Sequence, residues 1–154
     1  MRKAYRILAD LIAVAVAIQA MAMVWAIAGL FHWVDKGGGT LNHDVLKGWE
    51  DKSPDFQGAV GFEIHGILGG MVIPLLGLVL LVLAFLAKVE RGVALSAGIL
   101  VMIVVQVVLG FSGDDAPWLG LFHGLIPFAI FSAAIVAARA AHPDATQTAV
   151  AATP

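Results

Sequence analysis

The sequence predicts an all-α integral membrane protein, a four-helix bundle made of two pseudo-repeated helical hairpins. Three observations lead there. The chain of 154 residues is 60% hydrophobic and only 13% charged, with a mean hydropathy of +0.93, too little polar surface for a domain that faces water. Its apolar residues fall into four runs, each near the roughly 20 residues that a helix needs to cross a hydrocarbon core. The order Gln then His-Gly occurs twice, as Gln19 then His65-Gly66 and as Gln106 then His123-Gly124, which suggests two related helix pairs sharing an interface.

The first span is expected over residues 7–31, broken only by Asp10 near its start and Gln19 in its middle. It is longer than the apolar region of a secretory signal, so it reads as an uncleaved anchor. Asp10 is explained by the positive end of the helix dipole together with Arg6. A polar loop over 32–57 carries Gly37-Gly38-Gly39 and Trp49-Glu50-Asp51-Lys52. The second span follows over 58–88, a short basic turn leads to the third over 92–112, and Gly113-Asp114-Asp115-Ala116-Pro117 turns into the fourth over 118–138. Residues 1–141 thus form one transmembrane domain, and the Ala- and Thr-rich stretch 142–154 reads as a disordered cytoplasmic tail.

Orientation follows from Lys and Arg, because short basic loops stay on the cytoplasmic side. Arg2, Lys3, Arg6, Lys88, Arg91 and Arg139 fall on one side of this topology and Lys36, Lys47 and Lys52 on the other. Both termini are therefore expected in the cytoplasm, with the chain in the inner (plasma) membrane. The opposite face collects Asp35, Asp44, Glu50, Asp51, Asp55, Asp114 and Asp115, with Trp33, Trp49 and Trp118 at the level of an interfacial aromatic belt. The bilayer is the first partner; the net charge of −2 argues against nucleic acid. The absence of cysteine excludes disulfides, thiolate metal sites, iron–sulfur clusters and cysteine nucleophiles.

His65 and His123 are the candidate functional residues. Ionisable groups inside a span are costly, usually face the bundle interior, and mark function by default. The second and fourth spans both start on the outer side, so the two imidazoles should lie at similar depth, as two axial ligands of one haem iron must. Residues three or four apart share a helix face, so Gly58, Gly61, His65 and Gly69 make one smooth stripe, and Gly120 flanks His123. A porphyrin would come close to the backbone there. Pro127, four residues after His123, removes the usual donor to the His123 carbonyl, and Pro74 does the same to Gly70 and implies a bend. The competing reading is that the glycines serve close packing, Gly66 and Gly70 included, and that the histidines join helices by hydrogen bonds. Residue types leave both open. Gln19 and Gln106 read as polar glue between helices, or as support and polar contacts for a bound cofactor. Glu63 projects away from the His65 face and reads as an outer-interface carboxylate, with a proton donor as the alternative. His32 and His43 read as solvated loop histidines, with a loop metal site as the alternative.

These motifs resemble the haem A synthase family and its small four-helix relatives. Val105-Gln106-Val107-Val108-Leu109-Gly110, then Pro117-Trp118-Leu119-Gly120-Leu121-Phe122-His123, is similar to the family's third-helix Gln-x-x-Leu-Gly, short outer loop and fourth-helix histidine; Glu63-Ile64-His65 and the acidic stretch 49–56 also fit. The family's Arg is Gly66 here, its Glu falls at Phe62, and its outer-loop cysteines are absent. Haem A synthase-like oxidoreductase activity is thus left open, and what the resemblance carries over is His65 and His123 as a pair of haem ligands. The expected function is that of a b-type haem protein in electron transfer or haem handling; the alternative is a non-catalytic accessory or assembly subunit with structural histidines. Full-size members have eight helices in two halves, which implies that a half-size chain pairs as a homodimer or joins a respiratory membrane complex.

Overall fold

In the computed structural model the structure describes residues 1–113 and 115–142, with Glu50 described by its backbone alone. Asp114 of the outer turn and residues 143–154 of the expected tail lie outside the described residues. The elements are α1 (Arg2–Asp35), α2 (His43–Asp51), α3 (Val60–Ile67), a π-helical turn (Leu68–Val72), α4 (Ile73–Ala87), α5 (Gly92–Phe111) and α6 (Leu119–Ala140). All regular structure among the described residues is helical. Four stretches, Arg2–Asp35, Val60–Ala87, Gly92–Phe111 and Leu119–Ala140, are long and apolar enough to cross a membrane. Each leaves large apolar side chains exposed, among them Phe31, Met71, Phe111 and Phe128 at 70% or more; an apolar solvent would favour such a surface.

The described residues divide into two compact units, 15–72 and 1–14 with those from 73 to 142. In the first unit, the later part of α1 lies against α3. The contact is made by small residues at helical spacing, Ala22 and Ala26 on α1 and Gly58 and Gly61 around the start of α3. Gly58 has a φ of +95° and sits against the Trp25 carbonyl, and any Cβ at Gly61 would run into the Ala22 carbonyl. α1 outlasts its apolar run because nothing breaks a helix before Gly37; Lys36 and Gly37 then donate to the His32 carbonyl at 2.9 and 3.3 Å, and Gly38 turns the chain away with a φ of +70°.

The loop expected over 32–57 contains α2, nine residues whose first turn is capped by the Asn42 side chain accepting from the Val45 amide at 3.0 Å. Trp49 on α2 meets Trp33 with ring centroids 6.0 Å apart and Phe56 at 5.8 Å, Phe56 stacks on Trp33 at 6.0 Å, and Phe62 closes the group edge-on to Phe56 at 6.3 Å. Trp33 and Trp49 thus pack the loop onto α1 and α3.

Where the sequence implies a bend at Pro74, the helix carries a π-helical turn, Leu68–Val72, that ends two residues before the proline. Proline gives no amide hydrogen and crowds the carbonyl four residues back, and a wider turn relieves that clash.

In the second unit, α4 packs on α5 and α5 on α6. Gly77 of α4 faces Ile103 and Leu100, and Leu80, Ile99, Ile103, Ile130 and Ala134 form the core. The N-terminal turns of α1 dock on the start of α5 through buried Tyr5, whose hydroxyl lies 3.2 Å from the Gly92 carbonyl and 3.0 Å from Ser96 Oγ. Arg2 Nη2 donates to the Lys88 carbonyl at 2.9 Å, bracing the tight α4–α5 turn in which Lys88 and Arg91 take φ of +50° and +56°.

The two kinds of glycine in α3 differ measurably. Gly61→Val should destabilise the chain by about 1–3 kcal/mol through overpacking. Gly66, with nothing near its missing Cβ, should tolerate Ala and gain about 0.5–1 kcal/mol. Denaturant unfolding in a nonionic detergent checks both; equal stability of Gly61→Val and the unmodified chain would refute the close α1–α3 approach.

Candidate functional site

The sequence expects Gln19 and His65 on the first two spans and Gln106 and His123 on the last two, and the structure joins each histidine to the glutamine of its own pair. In the unit 15–72, His65 Nδ1 lies 3.2 Å from the Gln19 carbonyl oxygen. In the other unit, His123 Nδ1 lies 3.1 Å from the Gln106 carbonyl oxygen. A carbonyl only accepts, so Nδ1 carries the proton in both rings, and in the neutral ring the lone pair is on Nε2. Both imidazoles are half-buried. A helical carbonyl can take this extra bond because its oxygen has two lone pairs.

Gln106 also answers for the proline. Pro127 leaves the His123 carbonyl without its helical donor, and Gln106 Nε2 donates to that oxygen at 2.8 Å. The two residues therefore bond reciprocally, main chain to side chain in each direction. The amide orientation follows from this, since Nε2 must face the carbonyl and Oε1 must face away. Gln106 Oε1 and Gln19 Oε1 are both buried without a hydrogen-bond partner, each at a cost of about 1–3 kcal/mol unless a donor such as an ordered water reaches it.

The glycines sort into covered and open. Gly61 is closed off by the Ala22 carbonyl and Gly69 by the Gln19 side chain, whose Oε1 would stand 2.6 Å from an added Cβ. The stripe that the sequence offers to a porphyrin on the second span is thus occupied by α1. Gly120, three residues before His123, has open space around its missing Cβ, and so, in their own helices, do Gly66, Gly70 and Gly124. Gly110, which the sequence offered only as the end of the Gln-x-x-Leu-Gly stretch and not as a neighbour of the histidine, lies under the His123 ring, with an added Cβ 3.0 Å from Cε1. Its signal was present in the four-residue spacing from Gln106, which puts both on one face of α5. Glu63 is exposed and accepts from Ser53 Oγ. His32 and His43 are exposed, and no group of three or more His, Asp or Glu able to hold a metal occurs among the described residues.

Residues 55–113 match the model of a family of unknown function (DUF6220). The match runs from the end of the first loop through α3, α4 and α5, so it includes His65 and Gln106 but neither Gln19 nor His123. No curated protein and no solved structure matches the chain.

Proline and glutamine are expected to be coupled. Gln106→Leu strips the His123 carbonyl of its donor and should cost about 1–2 kcal/mol. With Pro127→Ala already in place the helix supplies that donor itself, and the same Gln106→Leu should cost less than half as much. A double-mutant cycle on unfolding free energy reads the difference; additive effects would mean that Gln106 does not serve that carbonyl.

Proposed function

We propose that the chain is a multi-pass protein of the inner membrane, with both termini in the cytoplasm, that binds a b-type haem through His65 and His123. Its role in this reading is electron transfer or haem handling. The observation that carries the reading is the Nδ1 hydrogen bond made by both histidines to a main-chain carbonyl. Metal-bound imidazoles commonly donate their second nitrogen to a carbonyl or carboxylate, which sets the tautomer and the ring orientation and offers Nε2 to the iron. When bound, the haem would supply one-electron exchange, and His65 and His123 are the residues that would hold it. The glutamines enter through their main-chain carbonyls. Their buried Oε1 atoms have no partner and could only accept a hydrogen bond, which suits a water better than the carboxylates of a haem. Gly120 keeps the open flank that a flat macrocycle needs, whereas Gly61 and Gly69 bring α1 against α3.

The repeated Gln–His contact supports reading the chain as two related hairpins that arose by duplication. A second reading, an accessory or assembly subunit of a membrane complex with purely structural histidines, is favoured by the reciprocal bonds of Gln106 and His123, which join α5 to α6 unaided. The absorption spectrum of protein expressed with ample haem separates the two. A Soret band that His65→Ala and His123→Ala each abolish or shift, and that Gln19→Ala preserves because His65 rests on the main chain, supports haem ligation. A protein with no Soret band, or histidine variants with unchanged haem content, would leave the structural reading.

Topology has its own test, helped by the absence of native cysteine. Thr40→Cys should react with a membrane-impermeant thiol reagent on intact spheroplasts, and Glu90→Cys only after permeabilisation. The opposite pattern would invert the orientation.

A further inference from the structure

We propose that the cleft between the first turns of α1 and the last turns of α6 binds the phosphate headgroup of an anionic phospholipid. This inference rests on the multi-pass membrane reading and is independent of haem. The cleft has a volume of about 420 Å³ and is lined by Arg6, Asp10, Ile135, Ala138, Arg139 and His142. Its size lies in the range of roughly 300–1,000 Å³ typical of small-molecule sites. Arg6 and Arg139, from opposite ends of the chain, converge on it. Guanidinium groups match phosphate oxygens with paired donors and are more weakly hydrated than an ammonium, so two of them facing one cleft make a phosphate site.

Three features select a lipid over a free anion. Ile135 and Ala138 give the cleft an apolar wall, which suits the glycerol and first methylenes of a lipid and gives a soluble phosphate nothing. The cleft sits at the ends of two membrane-length helices, the depth at which headgroups lie. Finally, Arg2, Lys3, Lys88 and Arg91 belong to the same unit and fall on the same predicted cytoplasmic side, against Glu90 and Asp10, and add attraction for anionic lipid. Asp10 opposes the ligand. It limits the net charge of the site, and its removal should therefore tighten binding.

The test uses the full chain in a nonionic detergent, with its unfolding temperature followed as short-chain phosphatidylglycerol, short-chain phosphatidylcholine or inorganic phosphate is added. Phosphatidylglycerol should raise the midpoint, and phosphatidylcholine and inorganic phosphate should not. Arg6→Gln and Arg139→Gln should each weaken the phosphatidylglycerol response about tenfold in concentration, Lys3→Gln should change it little, and Asp10→Asn should strengthen it. The opposite sign at Asp10 keeps the test decisive even if an arginine variant folds poorly. An unchanged response in both arginine variants would overturn the proposal, as would a response to phosphatidylcholine equal to that for phosphatidylglycerol. Stabilisation by inorganic phosphate alone would make the cleft a soluble-anion site and overturn the lipid assignment. A chain that stays soluble and monomeric with no detergent would overturn the membrane reading together with this one, whereas a detergent-dependent chain indifferent to phosphatidylglycerol would overturn this one alone.

Discussion

A main-chain carbonyl that accepts a hydrogen bond from a histidine of the facing helix is the interaction on which the candidate site depends in both units. Four helices of this length and apolarity have little polar surface to spend, and each polar side chain inside them must find a partner or leave a costly orphan. A backbone carbonyl is a dependable partner, because its position is set by the helix and not by a rotamer. Gln19 and Gln106 thus orient the two imidazoles through main-chain atoms, and the tautomer that results is a consequence of helix geometry.

That contact requires helices close enough for an imidazole to reach a neighbouring backbone, and the small residues provide the approach. Ala22, Ala26, Gly58 and Gly61 let α1 and α3 meet almost backbone to backbone, and Gly110 leaves room on α5 for the His123 ring. The same glycines that would smooth a surface for a macrocycle are the ones a close helix pair consumes. Gly61 and Gly69 went to the second use, and Gly120 remained open.

Proline and glutamine illustrate a further economy. Pro127 opens a gap in the hydrogen bonding of α6, and the side chain of Gln106 fills it from α5. An intrahelical bond is exchanged for an interhelical one, so a helix defect becomes a join between helices. Pro74 is accommodated differently, by the π-helical turn before it, with the irregularity kept inside the helix itself.

Much of this was legible in the chain. Hydropathy and length alone located four membrane-length helices, and the place of Pro127 left the His123 carbonyl without a donor. Asn42 followed by Asp44 carried a start signal for α2, hidden by the loop's polarity. Helical periodicity says which residues share a face, but it is silent on what stands opposite, and there the tertiary structure decided. It set α1 over the glycine stripe of α3, turned the Gln106 amide onto the carbonyl that Pro127 had vacated, and drew Arg6 and Arg139 into one cleft. Each of these is a contact between segments distant in sequence, fixed by packing two surfaces together, and no local pattern encodes its partner.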